Sequence, residues 1–256
     1  MTDLEPALRK RLGAGGRAFV PYVTGGFPGV DPELLRELQD VGADAIEVGI
    51  PFSDPVMDGG VIQETSRVAL GAGATPASIL HTIEEAALDV PVVVMTYVNP
   101  VFRLGFDAFL GTAAEAGVAG AIVPDLPIDE SAEWIAACER HLVAAVQLAA
   151  PGTASDRLAA IAAGSSGFVY CVATYGVTGA REALAGSARE LVQRLRPLTD
   201  LPLLVGVGVG TPEQGAEVAS FADGAIVGSA LMARLLEGNR AGLIDSARAF
   251  RGALAG

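Results

Sequence analysis

The sequence predicts an α/β fold: a single-domain (β/α)8 TIM barrel with an extra N-terminal helix, spanning residues 1–256. Three observations carry that expectation. Eight short runs rich in Val, Ile, Leu, Phe and Ala occur along the chain. Each is followed by a loop containing Gly, Pro or Asp and then by a helix-patterned stretch, the sign of parallel β/α units. The 256 residues match the roughly 250 of one such barrel. The competing open, doubly wound sheet would want a dinucleotide fingerprint after its first strand, and TGGFPG lacks the GxGxxG spacing.

In chain order, the strands are expected at Phe19–Val23, Ala45–Val48, Val92–Thr96, Ala121–Val123, Ala144–Leu148, Phe168–Val172, Leu203–Gly206 and Gly224–Val227. The helices are expected at Pro32–Val41, Gln63–Leu70, Pro76–Leu88, Phe106–Ala116, Ser131–His141, Ala154–Ala163, Arg189–Leu195, Pro212–Ala219, Ala230–Leu236 and Arg240–Leu254. Chemistry in a barrel sits at the C-terminal ends of the strands and in the loops beyond them, so those ends are where functional residues are sought.

Composition narrows the chemistry. Hydrophobic residues make up 51%, but no run approaches the ~18 residues that span a membrane. The N-terminus MTDLEPALRKRL has no signal-peptide pattern, so a cytoplasmic protein without membrane attachment is expected. A net charge of −13 with no basic stripe argues against nucleic acid. Cys138 and Cys171 lie in apolar surroundings and form neither a disulfide framework nor a zinc site. Lys10 is the one lysine, and His81 and His141 are the two histidines.

The second strand reads AIEVGIPFSDP. Alternation puts Ile46 and Val48 on one face and Ala45, Glu47 and Gly49 on the other, so Glu47 is expected to point into the barrel. A strand-end glutamate paired with an arginine is the equally ready alternative. In PFSDPVMDGG, Asp58 taken alone reads first as a turn former, because Asp-Gly is a common turn dipeptide, and Asp54 reads the same way. Tyr170 on the sixth strand could line the lumen or fill it. Gly208 after the seventh strand, with Gly228 and Ser229 after the eighth, suits a phosphate held by backbone N–H groups at helix starts. Gly179 from the sixth loop joins that set. Closing tight turns is the bland role for the same glycines.

Scarcity excludes several reactions. A Schiff-base aldolase needs a lysine at a strand end, and Lys10 precedes the first strand. A zinc aldolase needs converging His or Cys ligands, while both histidines fall in helical stretches. Carboxylates, tyrosines and backbone donors remain, an inventory suited to acid–base work on a small phosphorylated molecule with no metal.

The segment GADAIEVGIPFSDPVMDGGVIQ closely resembles the signature of the tryptophan synthase alpha subunit family. FVPYVTGGFP, MTYVNPV, YCVATYGVTG, GVGVGTPEQ and ADGAIVGSA resemble further family segments, in order across residues 18–232. The resemblance implies retro-aldol cleavage of indole-3-glycerol phosphate to indole and glyceraldehyde 3-phosphate. It implies that Glu47 is the general acid/base at indole C3 and that Asp58 handles the indole N–H. Glu47 should then have a raised pKa and Asp58 an ordinary one. Tyr170 would line the substrate site; Gly179, Gly208, Gly228 and Ser229 would hold the phosphate. Thr178 would belong to the mobile sixth loop, and Tyr22, Tyr97 and Asn99 would lie near the substrate or the subunit interface.

The family works with a beta subunit that carries pyridoxal phosphate and receives indole, in an alpha2beta2 assembly. By resemblance Pro51, Phe52, Asp54 and Pro55 face that partner, and this chain itself needs no cofactor. Two other readings stay open: a free-standing indole-glycerol-phosphate lyase, and a non-catalytic partner that regulates a beta subunit. The sequence departs from the family at Met57 and Gly60, which flank Asp58 and its glycine, and at Ala173, Thr174 and Tyr175. Gly in place of Pro loosens a loop by roughly 1 kcal/mol.

Overall fold

The structure, a computed structural model, describes residues 4–173, 181–206 and 208–255. The strands are β1 Ala18–Thr24, β2 Ile46–Gly49, β3 Val92–Met95, β4 Val118–Ile122, β5 Ala144–Ala149, β6 Val169–Val172, β7 Leu203–Gly206 and β8 Gly224–Val227. They pair in sequence order, all parallel, and β8 closes on β1. This is the expected eight-stranded barrel.

The helices are α1 Leu4–Gly13, α2 Pro32–Asp40, α3 Gly60–Gly71, α4 Pro76–Ala86, α5 Val98–Leu104, α6 Phe106–Glu115, α7 Ala132–Arg140, α8 Ser155–Gly164, α9 Arg181–Leu195, α10 Pro212–Ala219, α11 Ser229–Leu236 and α12 Arg240–Ala253. Local signals explain many of them. In α2, Asp31 accepts from Leu34 N at 2.8 Å, Pro32 opens the first turn, and Leu34, Leu35 and Leu38 form the buried face. Thr75 with Ser78 and Thr211 with Gln214 form capping boxes that start α4 and α10.

Besides ends that shift by a few residues and an α9 that begins at Arg181 rather than Arg189, two elements depart from the sequence expectation. β4 begins at Val118 rather than Ala121. Its Gly120 reads as a strand breaker, yet it provides room: a Cβ there would come 2.8 Å from Cδ2 of Leu4. A Cβ on Gly167 would come 2.7 Å from the same atom. The extra N-terminal helix α1 thus buries Leu4 and Leu8 against the end of the barrel opposite the chemistry. The second departure is α5, absent from the expected helices. Its N-cap Tyr97 makes no side-chain cap bond; Asp125, from the loop after β4, accepts from Val98 N at 2.8 Å instead. A cap supplied 27 residues away leaves no local pattern in VNPVFRL.

Registered partners on parallel strands share a face. Register runs from Tyr22 to Glu47, Val93 and Gly120, and on the other side from Leu148 to Tyr170, Leu204 and Gly224. These residues therefore point into the lumen. Below them, three side chains tie neighbouring strands at their N-terminal ends. Asp44 donates its N–H to Phe19 O and accepts from Phe19 N, both at 2.9 Å. Asp223 does the same to Leu203, and Ser166 to Ala145. Arg251 pairs with Asp44 at 3.0 Å and Arg196 with Asp223 at 2.8 Å. Among the described residues no helix is long and apolar enough to cross a membrane.

Candidate active site

Glu47 lies in the lumen on β2, 1% exposed, as alternation along the strand requires. Its Oε2 has no hydrogen-bond partner among the described residues, so the alternative of a strand-end glutamate paired with an arginine does not apply. Burial, and then the nearby charge of Asp58, pushes its pKa up to about 8. A carboxyl group in that environment is protonated at neutral pH and can donate.

Asp58 sits in the loop between β2 and α3, one residue before the helix N-cap Gly59. The loop is held at several points. Asp58 N donates to Pro55 O at 3.1 Å, and Gln63 Nε2 donates to Asp58 O at 2.9 Å. The Tyr97 hydroxyl accepts from Met57 N at 3.0 Å and donates to Asp58 Oδ2 at 3.1 Å. Asp58 was expected to titrate ordinarily, and it does not. Burial pushes its pKa up to about 6, against a lowering by the Tyr97 hydrogen bond. The turn-former role and the carboxylate role coexist here, because the turn is what folds the side chain inward.

Two phenols complete the lumen. Tyr22 is 5% exposed and Tyr170 6%. A Cβ on Gly49 would overlap the Tyr22 hydroxyl oxygen, and one on Gly206 would overlap that of Tyr170. Each tyrosine thus lies over a glycine of the next strand, which is why Gly49 and Gly206 are tolerated inside strands. Burial raises both phenols well above their usual value; the next cause is Asp58 for Tyr22 and Glu47 for Tyr170. Half-buried Met95 and Leu148, registered with Gly49 and Tyr170, supply apolar wall.

The expected phosphate positions divide. Gly208 has φ +99, a conformation that calls for glycine. Gly210 N and Thr211 N both donate to Gln214 Oε1, at 2.7 and 3.1 Å, so the start of α10 is already capped. Gly228 is the N-cap of α11, without a side-chain cap, and Ser229 is the first helical residue. Leu231 N and Met232 N donate to Gly228 O, while the Ser229 and Ala230 N–H groups have no backbone partner among the described residues and suit an anion. Gly228 also serves packing, since a Cβ there would lie 3.1 Å from Tyr22 Cδ1. Thr178 and Gly179 lie outside the described residues, as do Thr174 and Tyr175.

Of the positions assigned to a partner-facing loop, Pro51, Phe52 and Pro55 are half-buried at the rim, and Asp54 and Asn99 are exposed. Tyr97 differs. It is 3% exposed, stacks on Phe52 at 5.3 Å between ring centroids, and directs its hydroxyl to Asp58. In this chain Tyr97 belongs to the carboxylate site rather than to an exposed surface. Sequence reasoning missed Val56, Phe102 and Leu104, exposed by 78, 73 and 52% on the Asp58 loop and α5. An unassigned helix hid two of the three.

Among the described residues no group of three His, Cys, Asp or Glu could hold a metal ion. Cys138 and Cys171 are buried free thiols whose pKa values burial pushes up to about 12. Acid–base chemistry by Glu47 and Asp58, at the barrel mouth that also carries the uncapped start of α11, is what this arrangement can perform.

A model of the tryptophan synthase alpha chain family matches residues 9–250. The chain is 45% identical to the tryptophan synthase alpha chain of Streptomyces avermitilis over 257 residues, covering 98% of this chain and 93% of that one. It is 44% identical to the Streptomyces coelicolor alpha chain over 262 residues, 97% of each. Among solved structures it is similar to a tryptophan synthase from Mycobacterium tuberculosis, with a TM-score of 0.90 and 39% identity over 98% of both chains. It is also similar to tryptophan synthase subunit alpha from Legionella pneumophila, with a TM-score of 0.89 and 30% identity over 99% of this chain and 98% of that one.

Proposed function

The chain belongs to the tryptophan synthase alpha chain family, and from that premise we propose that it cleaves indole-3-glycerol phosphate to indole and glyceraldehyde 3-phosphate. The observation that carries this reading is Glu47: a buried lumen carboxyl with an unpartnered oxygen and a pKa raised to about 8. Protonated at neutral pH, Glu47 gives its proton to indole C3. Positive charge develops at the ring nitrogen, and ionised Asp58 accepts the indole N–H. The Glu47 carboxylate then takes the proton of the hydroxyl on the carbon attached to C3. That carbon becomes the aldehyde, the bond to C3 breaks, and its electron pair restores the aromatic ring. Glu47 ends protonated, as it began.

The phosphate is held by N–H groups of Gly228 and Ser229 at the start of α11, with Gly208 nearby, while Tyr170 and Tyr22 line the substrate; Gly179 and Thr178 join these roles by family resemblance alone. The reaction written this way needs no metal, cofactor or Schiff base. The lone lysine, Lys10, stands on α1, whose buried residues pack at the opposite end of the barrel.

The partner is a beta subunit carrying pyridoxal phosphate in an alpha2beta2 assembly, acting in the cytoplasm. Related solved structures of tryptophan synthase from M. tuberculosis include an aminoacrylate-bound form. The docking face on this chain comprises Pro51, Phe52, Asp54, Pro55 and Asn99, extended by exposed Val56, Phe102 and Leu104. An indole-release assay on indole-3-glycerol phosphate, with and without a beta subunit, tests substrate, reaction and partner together. Equal turnover in both arms identifies a free-standing lyase; no turnover in either removes the activity.

A further inference from the structure

Thr24 ends β1, is fully buried, and links three elements. Its N–H donates to Sδ of Met232 on α11 at 3.5 Å. Its Oγ1 lies 2.8 Å from Oγ1 of Thr65 on α3 and 3.4 Å from the Tyr22 hydroxyl in the lumen. Thr65, also fully buried, reaches Ile62 O with the same Oγ1 at 3.0 Å. The hydroxyls form a row from the backbone of α3 to the lumen.

The Tyr22 ring has no freedom to use. Gly49 on one side and Gly228 on the other leave no room for a Cβ against it. What can turn is the O–H bond. Valine has nearly the shape of threonine and brings no buried polar atom, so packing alone does not call for these hydroxyls.

Each hydroxyl in the row has one proton and can also accept. The Thr24 hydroxyl donates to the phenol oxygen of Tyr22, an arrangement that is favoured when Thr65 gives its proton to Thr24 rather than to Ile62 O. The phenol's proton then faces the lumen. The groups facing Tyr22 are Glu47 beside it in register, Asp58, Tyr97 and Tyr170.

We propose that Thr24 and Thr65 are positioning residues that act through Tyr22, holding its hydroxyl proton toward the lumen as Glu47 and the substrate hydroxyl exchange their proton. This rests on the lyase reading above, in which Glu47 alternates between protonated and ionised forms. A phenol donor aimed into the lumen serves the half of that cycle in which Glu47 is ionised.

The test is a double-mutant cycle on indole-3-glycerol phosphate cleavage with the full chain and its beta subunit. Tyr22→Phe and Thr65→Val should each lower kcat about three- to tenfold, the rate equivalent of one hydrogen bond, with a smaller change in KM. The double variant should be no slower than Tyr22→Phe, and Thr65→Ser should recover wild-type kcat within about twofold. Losses that multiply in the double variant, or an unchanged kcat in Thr65→Val, overturn the proposal while wild-type turnover leaves the lyase reading standing. If Thr65→Val does not give folded protein, Thr65→Ala carries the same cycle. Absence of wild-type cleavage overturns both the lyase reading and the row that depends on it.

Discussion

The Tyr97 hydroxyl donates to Oδ2 of Asp58 at 3.1 Å while accepting from Met57 N, so one phenol on the far side of β3 fixes both the backbone and the carboxylate of the Asp58 loop. The bond favours the ionised form of Asp58, opposing the effect of burial. Tyr97→Phe should therefore raise the Asp58 pKa further above about 6 and free the loop. The acidic limb of the pH–kcat/KM profile should move toward neutrality, with a loss of about 1 kcal/mol in stability. An unmoved limb would detach Tyr97 from the carboxylate.

Two carboxyls titrating apart predict a bell-shaped profile. Asp58 must be ionised and Glu47 protonated, so kcat/KM should rise through about pH 6 and fall through about pH 8. The limbs are properties of the coupled pair. A pH titration of kcat/KM checks both limbs, and Asp58→Asn should erase the acidic one in whatever activity remains.

Glu47→Gln and Asp58→Asn should each reduce kcat by on the order of 10²–10⁴, the usual worth of one acid–base group. Circular dichroism should show both folded. Near-normal turnover in either variant would contradict the assigned role.

Glu47 also links stability to pH. Its folded pKa of about 8 lies above the ordinary 4.5, so the folded chain holds a proton that the unfolded chain releases. That contribution is complete below about pH 4.5 and is lost as pH rises toward about 8. Glu47→Gln removes the ionisable group, so its stability relative to wild type should climb by a few kcal/mol across that window. Paired thermal melts at pH 5 and pH 8, as conditions, should show the gap widen at the higher pH (roughly 1.4 kcal/mol for each unit of pKa shift).

Phe102, 73% exposed on α5, tests the docking face. Phe102→Glu should leave indole release by the isolated chain unchanged and abolish its stimulation by a beta subunit. A charge placed in the desolvated centre of an interface costs several kcal/mol. Retained stimulation would move the interface elsewhere.

The candidate site was unevenly legible. Glu47 could be aimed from its neighbours, because a strand alternates faces and Ile46 and Val48 claim the outer one. Asp58 could not be read that way, since a loop has no period. Family resemblance pointed to it, and only the contacts of Tyr97 and Gln63 show how it is held. The expectation of an ordinary Asp58 failed because burial of a loop side chain depends on what closes over it. Gly228 and Ser229 matched a helix start, whereas the neighbouring start at Thr211 proved to be capped by its own Gln214.

By itself the sequence determined the barrel, nearly every strand, most helices and the inward direction of Glu47. These depend on short-range periodicity, capping residues and apolar spacing, all written within a few positions of one another. Only the tertiary structure decided that Leu4 lodges against Gly120 and Gly167, that Asp125 starts α5, that Tyr97 serves Asp58, and that Thr24 meets Thr65 and Tyr22. Most of these contacts join residues dozens of positions apart. They exist because closing the barrel gathers the ends of different strands at its two mouths, where burial and proximity, rather than residue type, set each group's charge and partner.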